Sequence, residues 1–306
     1  MTKSANIVYM SPQFHPSHNS ELDLSDTEIT AMRALTISLG CESGVPDFDR
    51  LILPNNERNK CQLWTAEGRL AAYAVIDGHI CLWFEIDPKI DVESTAAMII
   101  TWGINSVRDE SGFTLNSCAS STNLRRIQLL ETNGFIRQSG DTLNYTRSLT
   151  GLIDPPTMPP GFICRSVKGE SEVKGLVELQ RTTFKTEYMT INTRLAQMRA
   201  TGYCPDLDLV VTAPNGQLAA FCFCKLGHAG LIKTGFAEPI GTHPNYRDLG
   251  LAQALLITAM NKLFEKGCQS IRLSTNVENI PMRHLAESLG FSLDDNLIWY
   301  SISSLE

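Results

Sequence analysis

The sequence lacks the marks of several common protein classes. No Cys-x-x-Cys pair occurs among its nine cysteines, Cys41, Cys61, Cys81, Cys118, Cys164, Cys204, Cys222, Cys224 and Cys268. Neither a zinc knuckle nor a thioredoxin-type redox motif is therefore written here. The cysteines are odd in number, scattered and set in apolar runs, which reads as reduced, buried thiols in a cytoplasmic protein. No apolar run reaches the roughly 18 residues of a membrane span. Met1 to Met10 lacks the basic end, apolar centre and small-residue cleavage site of a signal peptide. Positive charge is not in excess: 26 Lys plus Arg stand against 33 Asp plus Glu, a net charge of −7. Such a chain offers no basic field to nucleic acid, and none is expected as a partner. His15-Pro16-Ser17-His18 has two histidines, but no neighbouring carboxylate or thiol completes a ligand set, so no metal is expected.

Core-forming material is plentiful. Of 306 residues, 43% are hydrophobic and 19% charged, ordinary for a globular protein. At roughly 100–200 residues per domain, the length favours two domains. The two halves repeat each other. Asn123-Leu124, Leu129, Glu131 and Gly134-Phe135 match Asn279-Ile280, Leu285, Glu287 and Gly290-Phe291 at an offset of 156. Ile86-Asp87-Pro88 aligns with Thr242-His243-Pro244 at the same offset. Gly68 to Tyr73 aligns with Gly216 to Phe221 at an offset of 148. Three matches in one order imply a duplicated fold, with about eight extra residues in the second copy. Asp154 to Gly161 carries four prolines, which stiffen the chain and remove backbone donors. It divides a domain at 1–150 from another at 162–306, with 151–161 as the linker. Alternating residues at Leu143 to Leu149 and at Phe162 to Val167 read as strands on either side of it. The first twenty or so residues read as a loose lead-in.

The second half has the clearer pattern. Glu170 to Thr186 and Met189 to Thr201 read as helices. Leu207 to Thr212 and Leu218 to Leu226 read as a hairpin turning at Asn215-Gly216. A third strand runs from Gly235 to Thr242 and stops at Pro244. Gly250 to Glu265 has an apolar helical face, with Gly267 past its end. Ser270 to Ser274 is a strand, Asn279 caps a short helix through Leu289, and strand material follows to Ser303. The order β-α-α-β-β-β-α-β-α-β is a mixed α/β sheet. Cys222 and Cys224 share one strand face, which core packing explains.

One junction carries chemistry. Thr242-His243-Pro244-Asn245-Tyr246-Arg247-Asp248-Leu249-Gly250-Leu251-Ala252 is a strand end, a turn and a helix start. Free N–H groups and the helix dipole favour an anion there, and a pyrophosphate suits the space beside Gly250 and Ala252. A plain helix start with a glycine is the alternative.

This segment resembles the acetyl-CoA motif of the GNAT N-acetyltransferase superfamily, written (R/Q)-x-x-G-x-(G/A). Asn279, Leu285 and Leu289-Gly290-Phe291 resemble that superfamily's later helix motif. The resemblance covers roughly 162–303, with a weaker copy over about 26–149. It implies two tandem GNAT-like acyltransferase domains, a layout similar to that of mycothiol synthase, with the N-terminal domain degenerate. It further implies that acetyl-CoA is the co-substrate and that a primary amine of a small molecule or peptide is the acceptor. Backbone groups of Ile240, Gly241 and Thr242 would pair with the pantetheine arm. Amides of Asp248, Leu249, Gly250, Leu251, Ala252 and Gln253 would cradle the pyrophosphate, with Arg247 opening the loop. Asn279 contacts the CoA arm in many relatives; a simple helix cap is the alternative.

Acyl transfer to an amine needs a base and help for the departing thiolate. Glu238 stands in the apolar strand Phe236-Ala237-Glu238-Pro239-Ile240 and is the expected base. A surface-facing or paired Glu is the alternative. The family's acidic Tyr is replaced by Ala286, leaving Tyr246 and Ser288 as candidates by position. In the first half the loop has changed: Arg247 becomes Asp91, Asp248 becomes Val92, Leu249 becomes Glu93 and Gly250 becomes Ser94. Each like-charge pair costs from about 1 kcal/mol in water to about 4 at an effective dielectric of about 20. The first half is therefore expected not to bind CoA. Two functions fit: an N-acetyltransferase, or a non-catalytic GNAT-fold module that binds acyl-CoA or another ligand. The assembly is expected to be a monomer or a homodimer, since two fused repeats already mimic a dimer.

Overall fold

The computed structural model describes residues 13–15, 24–39, 48–52, 59–109, 112–155, 157–200, 202–229 and 232–304. The first repeat contains β1 (Gln13–His15), α1 (Asp26–Leu39), α2 (Phe48–Leu51), β2 (Lys60–Ala66), β3 (Arg69–Ile76), β4 (Leu82–Ile86), α3 (Val92–Val107), β5 (Thr114–Ser120), α4 (Leu124–Thr132), β6 (Ile136–Arg137) and β7 (Thr142–Ser148). The second contains β8 (Ile163–Ser166), α5 (Val173–Phe184), α6 (Ile191–Arg199), β9 (Asp208–Thr212), β10 (Leu218–Ala229), β11 (Ile232–Thr242), α7 (Leu251–Glu265), β12 (Ser270–Asn276), α8 (Ile280–Ser288) and β13 (Ser292–Ser303). The second repeat has the element order read from the sequence. Most of the lead-in, the His15–His18 pair beyond the backbone of His15, and Cys41 lie outside the described residues. Gln13–His15 are not loose: they add an antiparallel edge strand to β2.

One sheet has the order β1-β2-β3-β4; the other runs β5-β13-β7-β12-β11-β10-β9-β8, with β6 on β13. The middle of the larger sheet is crossed. β13, the last strand of the second repeat, pairs with β5 over Leu297–Ser303. β7, the last strand of the first repeat, pairs with β12 along its whole length. The two exchanged strands lie antiparallel against each other. Side chains follow them. Leu143, Tyr145 and Leu149 enter the core under α7, while Ile298 and Tyr300 enter the core under α3 and α4. Each exchanged strand is also latched in the same way. Tyr145 donates to Glu287 Oε1 at 3.3 Å, and Tyr300 donates to Glu131 Oε1 at 3.2 Å. Burial, with Glu131 alongside, pushes the Tyr300 phenol above its ordinary range.

The amphipathic face of α7 builds most of the second core. Leu251, Ala254, Leu255, Ala259, Met260 and Leu263 are buried against β9, β10 and β11. A fully buried Leu contributes about 1.5–3 kcal/mol, so this face alone fixes the helix on the sheet. The proline-rich segment is pinned as well: Asn261 on α7 accepts from Ile153 N at 2.8 Å and donates to Ile153 O at 2.9 Å.

Candidate functional site

β11 and β12 are parallel neighbours over only three pairs, Thr234↔Ser270, Gly235↔Ile271 and Phe236↔Arg272. β11 continues to Thr242 and β12 to Asn276, so the strands part after Phe236. On its other side β11 stays in register with β10 up to Ala220↔Thr242. Between Cys222↔Ile240 and Cys224↔Ala237, Glu238 and Pro239 together oppose Phe223, which is a bulge. A bulge re-aims a side chain. Here Ala237 is sealed in the core, while Glu238 next to it is exposed at the mouth of the opening. The edge of Ile240, Gly241 and Thr242 that faces away from β10 has no register partner on β12. It is open to a ligand that binds as an added strand. Gly241 also has a packing reason: a Cβ there would lie 2.6 Å from Thr183 Cγ2 and 2.9 Å from Phe221 Cε1.

Beyond β11, a helical turn (Pro244–Tyr246) leads to an exposed loop, Arg247 to Gly250. Asp248 and Gly250 both take left-handed backbone, with φ of 61° and 72°. Gly250 is the N-cap of α7, and no side chain bonds to that cap. A Cβ at Gly250 would meet nothing within 4 Å. The backbone sign therefore calls for glycine, and the space in front of the helix is clear. Unfilled N–H groups and the positive helix end converge on that space.

The first repeat differs at this point. Asp91 is the N-cap of α3 and accepts from Ser94 N at 3.1 Å and from Ser94 Oγ at 2.7 Å. The Ser94 side-chain and backbone bonds hold its carboxyl below the ordinary carboxylate range. One helix terminus thus receives an anion from its own chain and the other does not. The linear offset sets Ser94 opposite Gly250. The structure instead puts Asp91 at that cap, because the loop from Pro88 is three residues shorter than the loop from Pro244.

Known proteins share this fold. Residues 173–291 match the acetyltransferase (GNAT) family model. A tandem GNAT protein from the clavulanic acid biosynthesis pathway shares the fold over 97% of this chain and 99% of its own, with a TM-score of 0.71 at 14% identity. The chain has a tandem GNAT fold. Part of it is similar to a mycothiol acetyltransferase of Arthrobacter sp. (strain FB24), 29% identical over 114 residues, 37% of this chain and 35% of the relative. The match thus spans about a third of that relative's length. An acetyltransferase of Sodalis glossinidius is 29% identical over 100 residues, 33% of this chain and 67% of the relative.

On this fold the remaining expected residues fall as follows. Asn279 caps α8: its Oδ1 accepts from Met282 N at 3.4 Å, and its Nδ2 donates to Thr275 Oγ1 at 3.0 Å. Leu251 is buried, whereas Gln253 is exposed beside the open helix start. The Tyr246 hydroxyl donates to Gln217 Oε1 at 2.8 Å, and the ring packs on Phe162. That ties Tyr246 to the β9–β10 turn, past the end of the strand that carries Glu238. Ala286 is fully buried in the core. Among the described residues no cluster of His, Cys, Asp and Glu suits a metal ion, and no helix is long and apolar enough to cross a membrane.

Two features escaped the sequence reading. One is Arg126 on α4, the counterpart of Met282. It donates from Nε to Cys118 O and from Nη1 to Phe84 O, both at 2.9 Å, bridging β4 and β5 where they part. The only sequence signal was a charged residue at a buried-face position of that helix. The other is a pocket between α5, α6 and β10, beside Pro239, walled by Leu176, Gln180, Gln197, Phe221 and Phe223. Arg194 and Asp208 form an ion pair within it, 6% and 2% exposed, and Tyr203 donates to Asp208 Oδ2 at 2.7 Å.

Proposed function

We propose that this protein is an acetyl-CoA-dependent N-acetyltransferase whose active site lies in residues 162–306. Its acceptor is a primary amine of a small molecule or peptide, attacking directly in a ternary complex. The observation that carries the reading is the uncapped, exposed start of α7 next to the open edge of β11. The amides of Asp248 to Gln253, with Arg247 at the loop, suit a diphosphate. The peptide groups of Ile240, Gly241 and Thr242 suit the amides of a pantetheine arm, and Asn279 stands as the cap of α8. When bound, acetyl-CoA supplies an acetyl thioester whose thiolate departs as the amine nitrogen bonds to the carbonyl carbon. Glu238 accepts the proton that the acceptor ammonium gives up, directly or through one water. Tyr246 receives no proton-transfer role, since its hydroxyl is held by Gln217. The domain at 1–150 holds no CoA, because Asp91 already occupies its helix terminus and Arg126 spends its Nε and Nη1 on the carbonyls where its strands part.

A general base contributes on the order of 10²–10⁴ in rate. Glu238→Gln should therefore lower kcat at neutral pH about a hundredfold or more, with the acetyl-CoA Kd from calorimetry unchanged. Unaltered turnover removes Glu238 from the mechanism. The buried Ala286, where the family's acid belongs, favours the second reading, a non-catalytic acyl-CoA-binding module. Free-thiol release from acetyl-CoA with a panel of amines separates the two: saturable binding without release selects the module.

A further inference from the structure

The first repeat retains a cleft where its cofactor groove should be. It is open to solvent, with a cavity volume of about 60 Å³, between the end of β4, the start of α3 and one face of α4. Leu39, Phe84, Ile86, Val92 and Leu129 make its walls apolar. Arg126 lines it too, and the residue is only 6% exposed. Its guanidinium sits over the Phe84 ring, with Cζ 4.0 Å from the centroid. Nε and Nη1 are satisfied by Cys118 O and Phe84 O, but the buried Nη2 has no hydrogen-bond partner. A buried guanidinium nitrogen left unpaired is costly, and native structures pair such groups with an acceptor.

The surrounding charges narrow the acceptor. Glu93 at the rim is matched by Arg125 at 3.9 Å, and Asp91 is turned onto Ser94. Glu85 also borders the cleft, but its strand neighbour is Tyr73, on the face of β4 opposite Phe84 and Ile86. A dianionic phosphate would meet this acidic rim with one unpaired guanidinium nitrogen, too few donors for its charge. A monocarboxylate needs one charge-assisted contact, and an aliphatic tail suits the walls. We propose that the first repeat binds a short-chain aliphatic carboxylate, its carboxylate on Arg126 Nη2 and its tail among Phe84, Ile86, Val92 and Leu129. The site is separate from the α7 groove and does not depend on the acetyltransferase reading.

The test titrates the full chain with hexanoate, hexanamide and inorganic phosphate, followed by calorimetry. Hexanoate should bind saturably, and hexanamide at least about tenfold more weakly, the loss of a charge-assisted bond. Arg126→Met, which installs the residue of the second repeat, should weaken hexanoate to the level of the amide. Leu129→Trp, which fills the cleft, should abolish binding of both. Equal binding of acid and amide, tighter binding of phosphate, no hexanoate binding, or displacement by coenzyme A each overturns the proposal. Should Arg126→Met unfold by circular dichroism, the acid–amide comparison on the natural chain and Leu129→Trp still decide.

Discussion

Gly250 and Asp91 do opposite things at the same structural position. A glycine at an N-cap has no side chain to offer, so the first-turn amides of α7 await an outside partner. An aspartate there bonds those amides itself, as Asp91 does in α3. Gly250→Asp should therefore recreate the first repeat's state in the second. Aspartate tolerates left-handed backbone better than most residues, so the fold should persist. Affinity for coenzyme A, read by calorimetry, should fall about tenfold or more, since one like-charge contact costs about 1–4 kcal/mol between water and an effective dielectric of about 20. Retained affinity would show that the helix terminus does not hold the diphosphate. Gly250 could be singled out from the sequence because a glycine between a strand stop and an apolar helical face has few other uses. Arg126 could not, because its meaning depends on two carbonyls from strands 34 residues apart in the chain, Phe84 and Cys118.

Among the elements, the sheet strands illustrate what alternation reveals. The hairpin β9–β10, the stop at Pro244 and the capped α8 were all readable, because each is punctuated by a residue with a distinct backbone habit. β10 and β11 extend further than alternation suggests, pairing out to Gly227↔Thr234 and beyond. Glycine and lysine at their far ends break the apolar rhythm, yet the backbone ladder continues. The pair that packs α6 on β9 was invisible, since Arg194 and Asp208 look like surface charges in sequence. Both are sealed, and Tyr203 adds a third bond. Removing one partner of a buried pair typically costs about 3–5 kcal/mol. Arg194→Met should lose stability of that order in urea denaturation, whereas Arg194→Met with Asp208→Leu should lose much less. Equal losses for the two would mean that the charge left unpaired is not what destabilises the single variant.

At the scale of the whole molecule, the duplication was legible and the exchange of strands was not. Alternation fixes which face a strand presents, but not which neighbour it takes. β7 and β13 each offer an apolar face with a tyrosine, Tyr145 and Tyr300, and each tyrosine finds a glutamate on the other repeat's helix. The two halves therefore share one sheet and complete each other's cores. Urea unfolding of the full chain should be a single transition by circular dichroism and by tryptophan fluorescence alike, as coupled repeats require. Expressed separately, 1–150 and 151–306 should each show weak amide-exchange protection, and mixing them should restore it. Two well-separated transitions, or a fragment as protected as the intact protein, would mean that the crossing contributes little.

The crossing has a consequence during synthesis. A ribosome that has released the first 150 residues has not yet made Ile298 or Tyr300, which close the core under α3 and α4. The nascent first half waits, its apolar face uncovered, until the final strand emerges. A stop codon just ahead of Ser292 would therefore damage most severely the half of the protein furthest from it in sequence.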